Sequence, residues 1–513
     1  MHTQESRGAR VAPWIVFGAI VAVAAIVAAF LLLRGHDGEL PWGGDRSREY
    51  TVGLTDQPTS LDIRTNDERG VEQALVGNVY ETLLTSGDDV SVAANLVARW
   101  IPSTDGLRYS FVLRDGLTFA DGSALDASAV VASLQRTIAD RHVGYEELGD
   151  VAEVRNTDAS QFTITLRKPN PRLLWALTGR AGIIYNVAAA QRAGGDYARH
   201  TYGSGPFDVA GSDGSSITLT RNDHYWGHKA SASTIRLAYY KDEAALADAA
   251  EAGDLDVALP REAATAQRLA KHDGLHVGDG DGMRQTMLAL NNAQESPFSD
   301  VQVRQLTRYA IDAAGIAKTQ PESAAQLSGP IGRLQPGYVD LDDLFPYDEA
   351  KAASMRAYFP YAYFHEFTVL TDETHRAVAE RITTTFNDVL SMPATLEVVD
   401  TRELAKRVAD GDYVCALVTL EGVDDYRRFV DGSPMFHYQN GEAQRIYEDA
   451  LAKPDYNGYR ERMRDFDRVV SQDAASAWLY ENKDFVVTKT SVGGVPAENS
   501  SWRLRLAGLA PRS

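Results

Sequence analysis

Two adjacent carboxylates, Asp424 and Asp425, have the most informative chemistry in this sequence. They follow Tyr413–Val418, an apolar run of strand length, and they directly precede Tyr426. A carboxylate that is withdrawn from water can hold a positively charged amine, because a charge-assisted hydrogen bond offsets the cost of desolvation. The pair therefore indicates either a site for a cationic group or a solvated acidic turn, and the residues alone leave both open.

Sequence patterns of known enzyme classes are missing from the chain. We find no nucleophile elbow, no Walker A loop, no His-Glu-x-x-His pair and no Gly-x-Gly-x-x-Gly turn. Asp279 and Asp281 lie in a Gly-Asp-Gly-Asp-Gly run, but the later ligands and the closing glutamate of a calcium loop are absent. The sequence thus predicts a binding protein that performs no catalysis and holds no metal or cofactor.

The length of the chain indicates how many cores it can form, and its net charge indicates which ligands and partners it can bind. A chain of 513 residues with 44 % hydrophobic composition can bury two or more cores. It carries 51 Lys and Arg against 71 Asp and Glu, a net charge of −20. Because a general nucleic-acid binder needs a basic footprint, we expect no nucleic acid partner, and the acidic balance slightly favours cationic ligands.

The pattern of strands, turns and helices is clearest in the stretch from Arg99 to Arg136. It contains three Asp-Gly pairs, which favour tight turns, and between the first two pairs apolar and polar residues alternate as in a strand. After the third pair, Asp126 is suited to cap a helix. The stretch predicts strand, turn, short strand, turn and helix. Upstream, Glu72–Leu84 has apolar residues at helical spacing and predicts an amphipathic helix.

The amino terminus carries a long apolar segment. Residues 14–33 form a run of twenty uncharged residues, enough to cross a hydrocarbon core of about 30 Å at about 1.5 Å per residue. Arg7 and Arg10 precede the run, which favours an inward amino terminus and an extracytoplasmic main domain at the cell membrane. A cleaved signal peptide is the alternative, although the run ends in Phe-Leu-Leu-Leu without a small-residue cleavage site. The lone Cys415 excludes a lipid anchor near residue 34 and is predicted to be a buried, inert thiol.

Several segments, in order, resemble one family. "DGLRYSFVLRDGLTFADGSALDASAVVASLQR" is similar to the signature region of the family-five extracellular solute-binding proteins of ABC transporters, which bind oligopeptides, dipeptides or nickel. "PTSLDIRTNDERGVEQALVGNVYETLLT", "YGSGPFDVAGSDGSSITLTRNDHYWG" and "LALNNAQESPFSDVQVRQLTRYAIDAAGI" resemble further segments of that family. The resemblance covers roughly residues 50 to 495.

This resemblance implies an α/β, two-lobed, periplasmic-binding-protein-like (type II) clamshell, here with an N-terminal transmembrane helix. The lobes would close on a solute and present it to the permease subunits of an ABC importer. In the family the chain crosses between lobes twice, which places a flexible hinge at Gly278–Gly282 and a return near 477–487. The expected parts are a cytoplasmic tail (1–13), a transmembrane anchor (14–33), a linker (34–49), a first lobe (50–275), a second lobe (276–480) and a return to the first lobe (481–513).

The resemblance also implies candidate binding residues. Peptide-binding relatives have a "gW..Dy..P" motif whose acidic residue receives the α-ammonium group, which makes Asp425 the first choice here and Asp424 the second. Thr59 and Ser60 fall in a loop at the cleft mouth, although an ordinary polar turn explains them equally well. The remaining candidates are Tyr145, which packing at a helix start also explains, and Met283 and Arg284 at the crossing.

The motif around Asp425 departs from that pattern. The tryptophan is absent, and Arg427–Phe429 stands where the proline is expected. A peptide remains the expected ligand, while a glycan, a nickel chelate or another solute stays open, as does a non-transport role as an envelope receptor. His437 is read as scaffold and not as a metal ligand.

Overall fold

The computed structural model describes residues 48–87, 91–197, 200–360, 363–430 and 432–512. The predicted tail, the predicted anchor at 14–33 and nearly all of the predicted linker lie outside these residues. Within the described ranges, none of the helices combines the length and the apolar character needed to cross a membrane.

The strands and helices alternate along the chain, as expected for an α/β protein. The strands are β1 (Glu49–Leu54), β2 (Leu84–Ser86), β3 (Val92–Ala94), β4 (Val97–Pro102), β5 (Arg108–Leu113), β6 (Val151–Asn156), β7 (Gln161–Leu166), β8 (Phe207–Ser212), β9 (Ser216–Arg221), β10 (Thr234–Tyr239), β11 (Val257–Ala258), β12 (Leu275–Leu290), β13 (Ser323–Gln326), β14 (Phe367–Thr371), β15 (Ala394–Val398), β16 (Cys415–Leu420), β17 (Ser476–Lys489), β18 (Val492–Gly493) and β19 (Ala510–Pro511). The α-helices are α1 (Arg69–Leu75), α2 (Ala127–Ala139), α3 (Leu173–Ala176), α4 (Val187–Arg192), α5 (Glu243–Glu251), α6 (Ala263–Leu269), α7 (Val301–Ala310), α8 (Ala313–Thr319), α9 (Glu349–Arg356), α10 (Arg376–Asp388), α11 (Thr401–Asp410), α12 (Gly441–Leu451) and α13 (Tyr456–Gln472).

Two long antiparallel strands, β12 and β17, join the two halves of the molecule. Among the described residues, eleven strands form one sheet in the order β15-β14-β16-β12-β17-β11-β1-β10-β9-β8, with β13 also paired to β17. The start of β12 pairs with the end of β17, and the end of β12 pairs with β16 and the start of β17. The register shifts between Asp281 and Gln285, where the chain passes from one half to the other. Residues 278–281 of the predicted hinge are therefore paired β-strand, with the irregular stretch directly after them, and the flexibility expected there stays a prediction.

The cores divide the molecule into a first lobe and a second lobe. The first lobe includes β1–β11 and the segment after β17, and its two main cores lie on the large sheet and on a smaller β4-β5-β7-β6 sheet. The second lobe packs cores on both faces of β14–β16 and the adjoining halves of β12 and β17. Because β12 and β17 contribute residues to both lobes, the lobe limits at 275 and 480 stay a prediction.

The strand and the capped helix predicted in the signature stretch are confirmed. Strand β5 buries Tyr109, Phe111 and Leu113 on one face, and the side chain of Asp126 accepts a hydrogen bond from Ala129 N at 2.9 Å to cap α2. The predicted short strand between them is reduced to an isolated bridge between Thr118 and Ala124. Local turn and capping chemistry therefore determines most of this region.

The helix expected over Glu72–Leu84 is wrong in extent. Helix α1 ends at Leu75, and Gly77 follows with φ of +80°. Asn78 donates hydrogen bonds to Ala74 O at 3.2 Å and to Leu504 O at 2.6 Å, and its Oδ1 accepts from Leu506 N at 3.1 Å. Asn78 thus makes hydrogen bonds to the carboxyl-terminal segment, and the helix does not continue through this residue.

Cys415 behaves as expected. It is fully buried at the start of β16, and burial raises the pKa of its thiol. A protonated, inaccessible thiol is inert.

Candidate functional site

A cavity of about 570 Å³ lies between the two lobes. The first lobe contributes acidic and basic side chains, the crossing strand β12 contributes Asp281 and Met283, and the loop after β16 contributes Val423 and Asp424. The segment after β17 adds Asn499, Trp502 and two arginines. A cavity of about 300–1,000 Å³ suits small-molecule ligands.

The loop after β16 is shaped by Gly422 and Asp425. Gly422 has φ of +89°, and a Cβ there would lie 1.7 Å from the carbonyl oxygen of Met283. The Asp425 carboxylate accepts hydrogen bonds from Gly422 N and from Arg428 Nε, both at 2.8 Å. Asp425 is 8 % exposed and is not among the described residues that line the cavity. These two hydrogen bonds connect the Asp425 side chain to other residues of the same loop.

Asp424 lines the cavity and bridges the lobes. It adopts a left-handed backbone conformation with φ of +55°, and its Oδ2 lies 2.6 Å from Nη2 of Arg172 in the first lobe. Its Oδ1 accepts a hydrogen bond from the Tyr426 hydroxyl at 2.8 Å. The Asp424 carboxylate therefore has both a cationic and a neutral partner.

Arg172 stands immediately before α3, on the first-lobe wall. Its backbone N donates to Asn170 Oδ1 at 3.1 Å, and its Nε is buried without a hydrogen-bond partner among the described residues. One turn further on, Trp175 stacks on Tyr456 of the second lobe with ring centroids 6.1 Å apart. Helix α3 thus contacts the opposite lobe through both an ion pair and an aromatic stack.

Glu147 faces the same wall of the cavity. It belongs to a 3₁₀ turn, Tyr145–Leu148, between Gly144 and Gly149, whose φ values are +87° and +76°. Its carbonyl accepts a hydrogen bond from Asn170 Nδ2 at 2.8 Å, while its carboxylate has no hydrogen-bond or ion-pair partner in the described part of the chain. Desolvation in the cleft and the nearby Asp424 charge raise the pKa of Glu147 to about 7, against the opposing effect of Arg172. The side chain stays accessible from the cavity even though protein surrounds it.

Positive charge collects at another part of the cavity lining, near the carboxyl-terminal segment. Arg503 donates to Ser86 Oγ at 3.1 Å and to Thr178 O at 2.9 Å, and Arg505 stands beside it. Arg180 lies 3.8 Å from Glu72, and burial raises the pKa of Glu72. The cavity lining therefore carries charged groups of both signs, and the hydrogen-bond acceptors of Arg503 are neutral.

A second set of ion pairs joins the lobes outside the cavity. Glu421 binds Arg261 at 2.9 Å and Arg69 at 3.3 Å, and both arginines also bind Asp56 of the first lobe. Because the Glu421 side chain is 50 % exposed, solvent screens these pairs and each contributes below about 1 kcal/mol.

Of the predicted site residues, the cavity brings together Asp424 and Met283. Thr59 donates to both oxygens of Glu68, and Ser60 Oγ accepts from Asp62 N at 3.1 Å, so both serve their own turn. The Tyr145 hydroxyl donates to Glu146 at 3.1 Å. Arg284 is buried and donates to the carbonyls of Arg261 and Lys483, each at 3.1 Å.

Sequence reasoning missed Arg172, Trp175, Glu147 and Arg503. None of them lies in a motif with recognisable spacing, and they meet the cavity only because distant segments converge. The charged residues around Asn170 and Pro171 gave no signal that separates them from an ordinary surface turn.

Comparison with known proteins agrees with this fold. The family model "Bacterial extracellular solute-binding proteins, family 5 Middle" matches residues 91–427. The probable D,D-dipeptide-binding periplasmic protein DdpA of Escherichia coli K12 is 25 % identical over 477 residues, which is 86 % of this chain and 90 % of DdpA.

Solved structures show the same architecture. The ABC transporter substrate-binding protein CtaP of Listeria monocytogenes superposes with a TM-score of 0.80 at 17 % identity, covering 91 % of this chain and 99 % of CtaP. DppA of Helicobacter pylori, in complex with the peptide STSA, gives 0.69 at 20 % identity over 91 % and 98 % of the two chains. The predicted two-lobed α/β fold is confirmed, and the chain belongs to family 5 of the bacterial extracellular solute-binding proteins.

Proposed function

We propose that this protein captures a short peptide between its lobes and delivers it to the permease of an ABC importer. The observation that carries the proposal is the interlobe cavity lined by acidic and basic groups, among them Glu147 and Arg503. A free peptide has an ammonium group at one end and a carboxylate at the other. Opposite charges in a desolvated cavity offset the cost of removing both ends of such a ligand from water.

The size of the cavity limits the ligand. A volume of about 570 Å³ accommodates a short peptide or a molecule of similar size, but not a long extended chain. The relative DdpA is named for D,D-dipeptide binding, and DppA holds the peptide STSA. Both names support a peptide or peptide-like solute for this chain.

The residues that we assign to the wall of the ligand site are Asp424, Met283, Glu147, Arg172 and Arg503, all of which line the cavity. Asp425, Tyr145, Thr59, Ser60 and Arg284 are not among the described residues that line the cavity, so we assign them to supporting the surrounding loops.

The proposal includes a tether. Residues 14–33 anchor the chain in the cytoplasmic membrane. The linker at 34–49 lets the two lobes extend from this anchor to the permease. The apolar length of the segment and the arginines before it support this arrangement.

Binding of a peptide pool tests this function. We expect an equimolar pool of dipeptides and tripeptides to raise the unfolding temperature of the full chain with increasing concentration, because a ligand that binds the folded state stabilises it. An equal concentration of free amino acids should give a smaller rise. An unchanged unfolding temperature with the peptide pool would contradict the proposal.

A further inference from the structure

The Asp424 carboxylate is poorly placed to receive a ligand amine. The Arg172 guanidinium already lies 2.6 Å from Asp424 Oδ2, and the Tyr426 hydroxyl donates to Oδ1. Since the arginine neutralises this charge, an approaching ammonium would gain little unless the bridge between the lobes were broken.

Glu147 offers what Asp424 lacks. Its carboxylate lines the cavity, has no partner among the described residues and is carried by a turn fixed on both sides. Asn170 holds this turn against the segment that carries Arg172, through one hydrogen bond to Glu147 O and another from Arg172 N. Asn170 therefore connects the turn that carries Glu147 to the segment that carries Arg172.

We infer that Glu147 receives the ammonium group of the ligand, while Asp424 and Arg172 act as the bridge that closes the lobes over it. This inference rests on the proposed function, because it names the group that recognises the amino end of a peptide. It places amine recognition on the first lobe and not on the loop after β16.

The charges around Glu147 should make its protonation change when a ligand amine binds. Asp424 and Arg427 face it from the second-lobe loop, Arg172 from the segment before α3, Glu72 from α1 and Arg180 from the next turn. Desolvation in the cleft and the Asp424 charge raise the pKa of Glu147 to about 7, so we expect part of the Glu147 population to be protonated near pH 7. An ammonium placed beside it favours the carboxylate. Binding near pH 7 should therefore release a fraction of one proton.

The test compares the peptide pool with the same pool after N-acetylation, which removes the ammonium. Apparent affinities are measured from the unfolding temperature of the full chain at increasing pool concentration. Wild type should prefer the free-amine pool by on the order of 10-fold to 100-fold, the scale of a charged hydrogen bond. Glu147→Gln should lose most of this preference.

Two further variants separate the roles. Glu146→Gln changes the neighbouring carboxylate, which accepts from Tyr145 and does not line the cavity, and it should bind as wild type does. Asp424→Asn should weaken binding of both pools by a similar factor while keeping the preference for a free amine.

Proton release from wild type gives a measurement that does not depend on any variant folding. In weak buffer at pH 7, the free-amine pool should release protons and the acetylated pool should not. Retained preference in Glu147→Gln, lost preference in Asp424→Asn, or the same non-zero proton release with both pools would overturn the inference while leaving peptide capture intact. Failure of wild type to bind either pool would instead overturn the proposed function and this inference with it.

Discussion

Arg172 and Asp424 are 252 positions apart in sequence, and their side chains meet at 2.6 Å across the cavity. The Arg172 side chain is 12 % exposed and that of Asp424 is 27 % exposed, so water screens the pair only in part. Together with the stack of Trp175 on Tyr456, this ion pair links the wall of the first lobe to the binding loop of the second.

Replacing Arg172 with Gln should weaken peptide binding by roughly 1.5–3 kcal/mol, the cost of losing a hydrogen bond between charged groups. The bridge stabilises the closed form, so small-angle scattering should also show a larger radius of gyration at the same peptide concentration. Arg167→Gln is the matched control, because Arg167 pairs with Asp150 on the surface and both side chains are about half exposed. Equal affinity in the two variants would show that the ion pair between Arg172 and Asp424 does not contribute to peptide binding.

Gly422→Ala tests the close approach of the binding loop to β12. The substitution places a Cβ 1.7 Å from Met283 O at a φ of +89°, which should lower the free energy of unfolding by at least about 1–3 kcal/mol. Thermal unfolding measures the effect. Gly211→Ala, whose Cβ would meet nothing within 4 Å, should leave the unfolding temperature nearly unchanged. Similar temperatures for both variants would show that the loop can move away from β12.

Glu81 should make stability depend on pH. It is 3 % exposed and accepts hydrogen bonds from Ser204 Oγ and Trp226 Nε1, both at 2.9 Å. Burial raises the pKa of Glu81 from 4.5 to about 7. Between these values the unfolded chain has lost the proton and the folded chain keeps it. The stability contributed by this group therefore falls as pH rises from about 4.5 to about 7.

The loss should reach about 2–4 kcal/mol, since each pKa unit corresponds to about 1.36 kcal/mol. Comparing denaturant unfolding of wild type and Glu81→Gln at pH 5 and pH 8 checks it, because the variant should lack this part of the pH dependence. Glu153→Gln, on the exposed face of β6, should follow wild type. An identical pH profile for Glu81→Gln and wild type would contradict the assignment.

The tether proposed for residues 14–33 predicts the form of the protein in cells. If residues 14–33 act as the proposed tether, protein extracted from membranes should begin at or near Met1. Mass measurement of the intact chain decides this. A mature form that starts after residue 33 would instead identify the segment as a signal peptide.

Features that depend on neighbouring residues were predictable from the sequence. The cap of α2 by Asp126 joins residues three positions apart, and the turns at Asp115-Gly116 and Asp121-Gly122 use glycines with φ of +73° and +79°. Such interactions depend on residue type and short spacing, which the sequence displays directly. The two-lobed fold was predictable through the family resemblance, because the motifs that carry this resemblance are short stretches of sequence.

The binding residues were less predictable because long-range contacts determine them. Asp424 and Asp425 are neighbours with the same side chain, yet a left-handed backbone at Asp424 turns one toward Arg172 and leaves the other to Gly422 N and Arg428. Glu147 and Glu146 differ in the same way, one facing the cavity and the other accepting from Tyr145. Which of two adjacent carboxylates meets a ligand follows from the fold around them.

The central claim is capture of peptides between the lobes, and native mass spectrometry of the full chain tests it most directly. The protein should be purified from membranes of cells grown in rich medium, in mild detergent and without a denaturing step. If the lobes capture peptides, a mixed ladder of short-peptide masses should dissociate from the folded protein. A single non-peptide mass, or protein that is always empty, would contradict it.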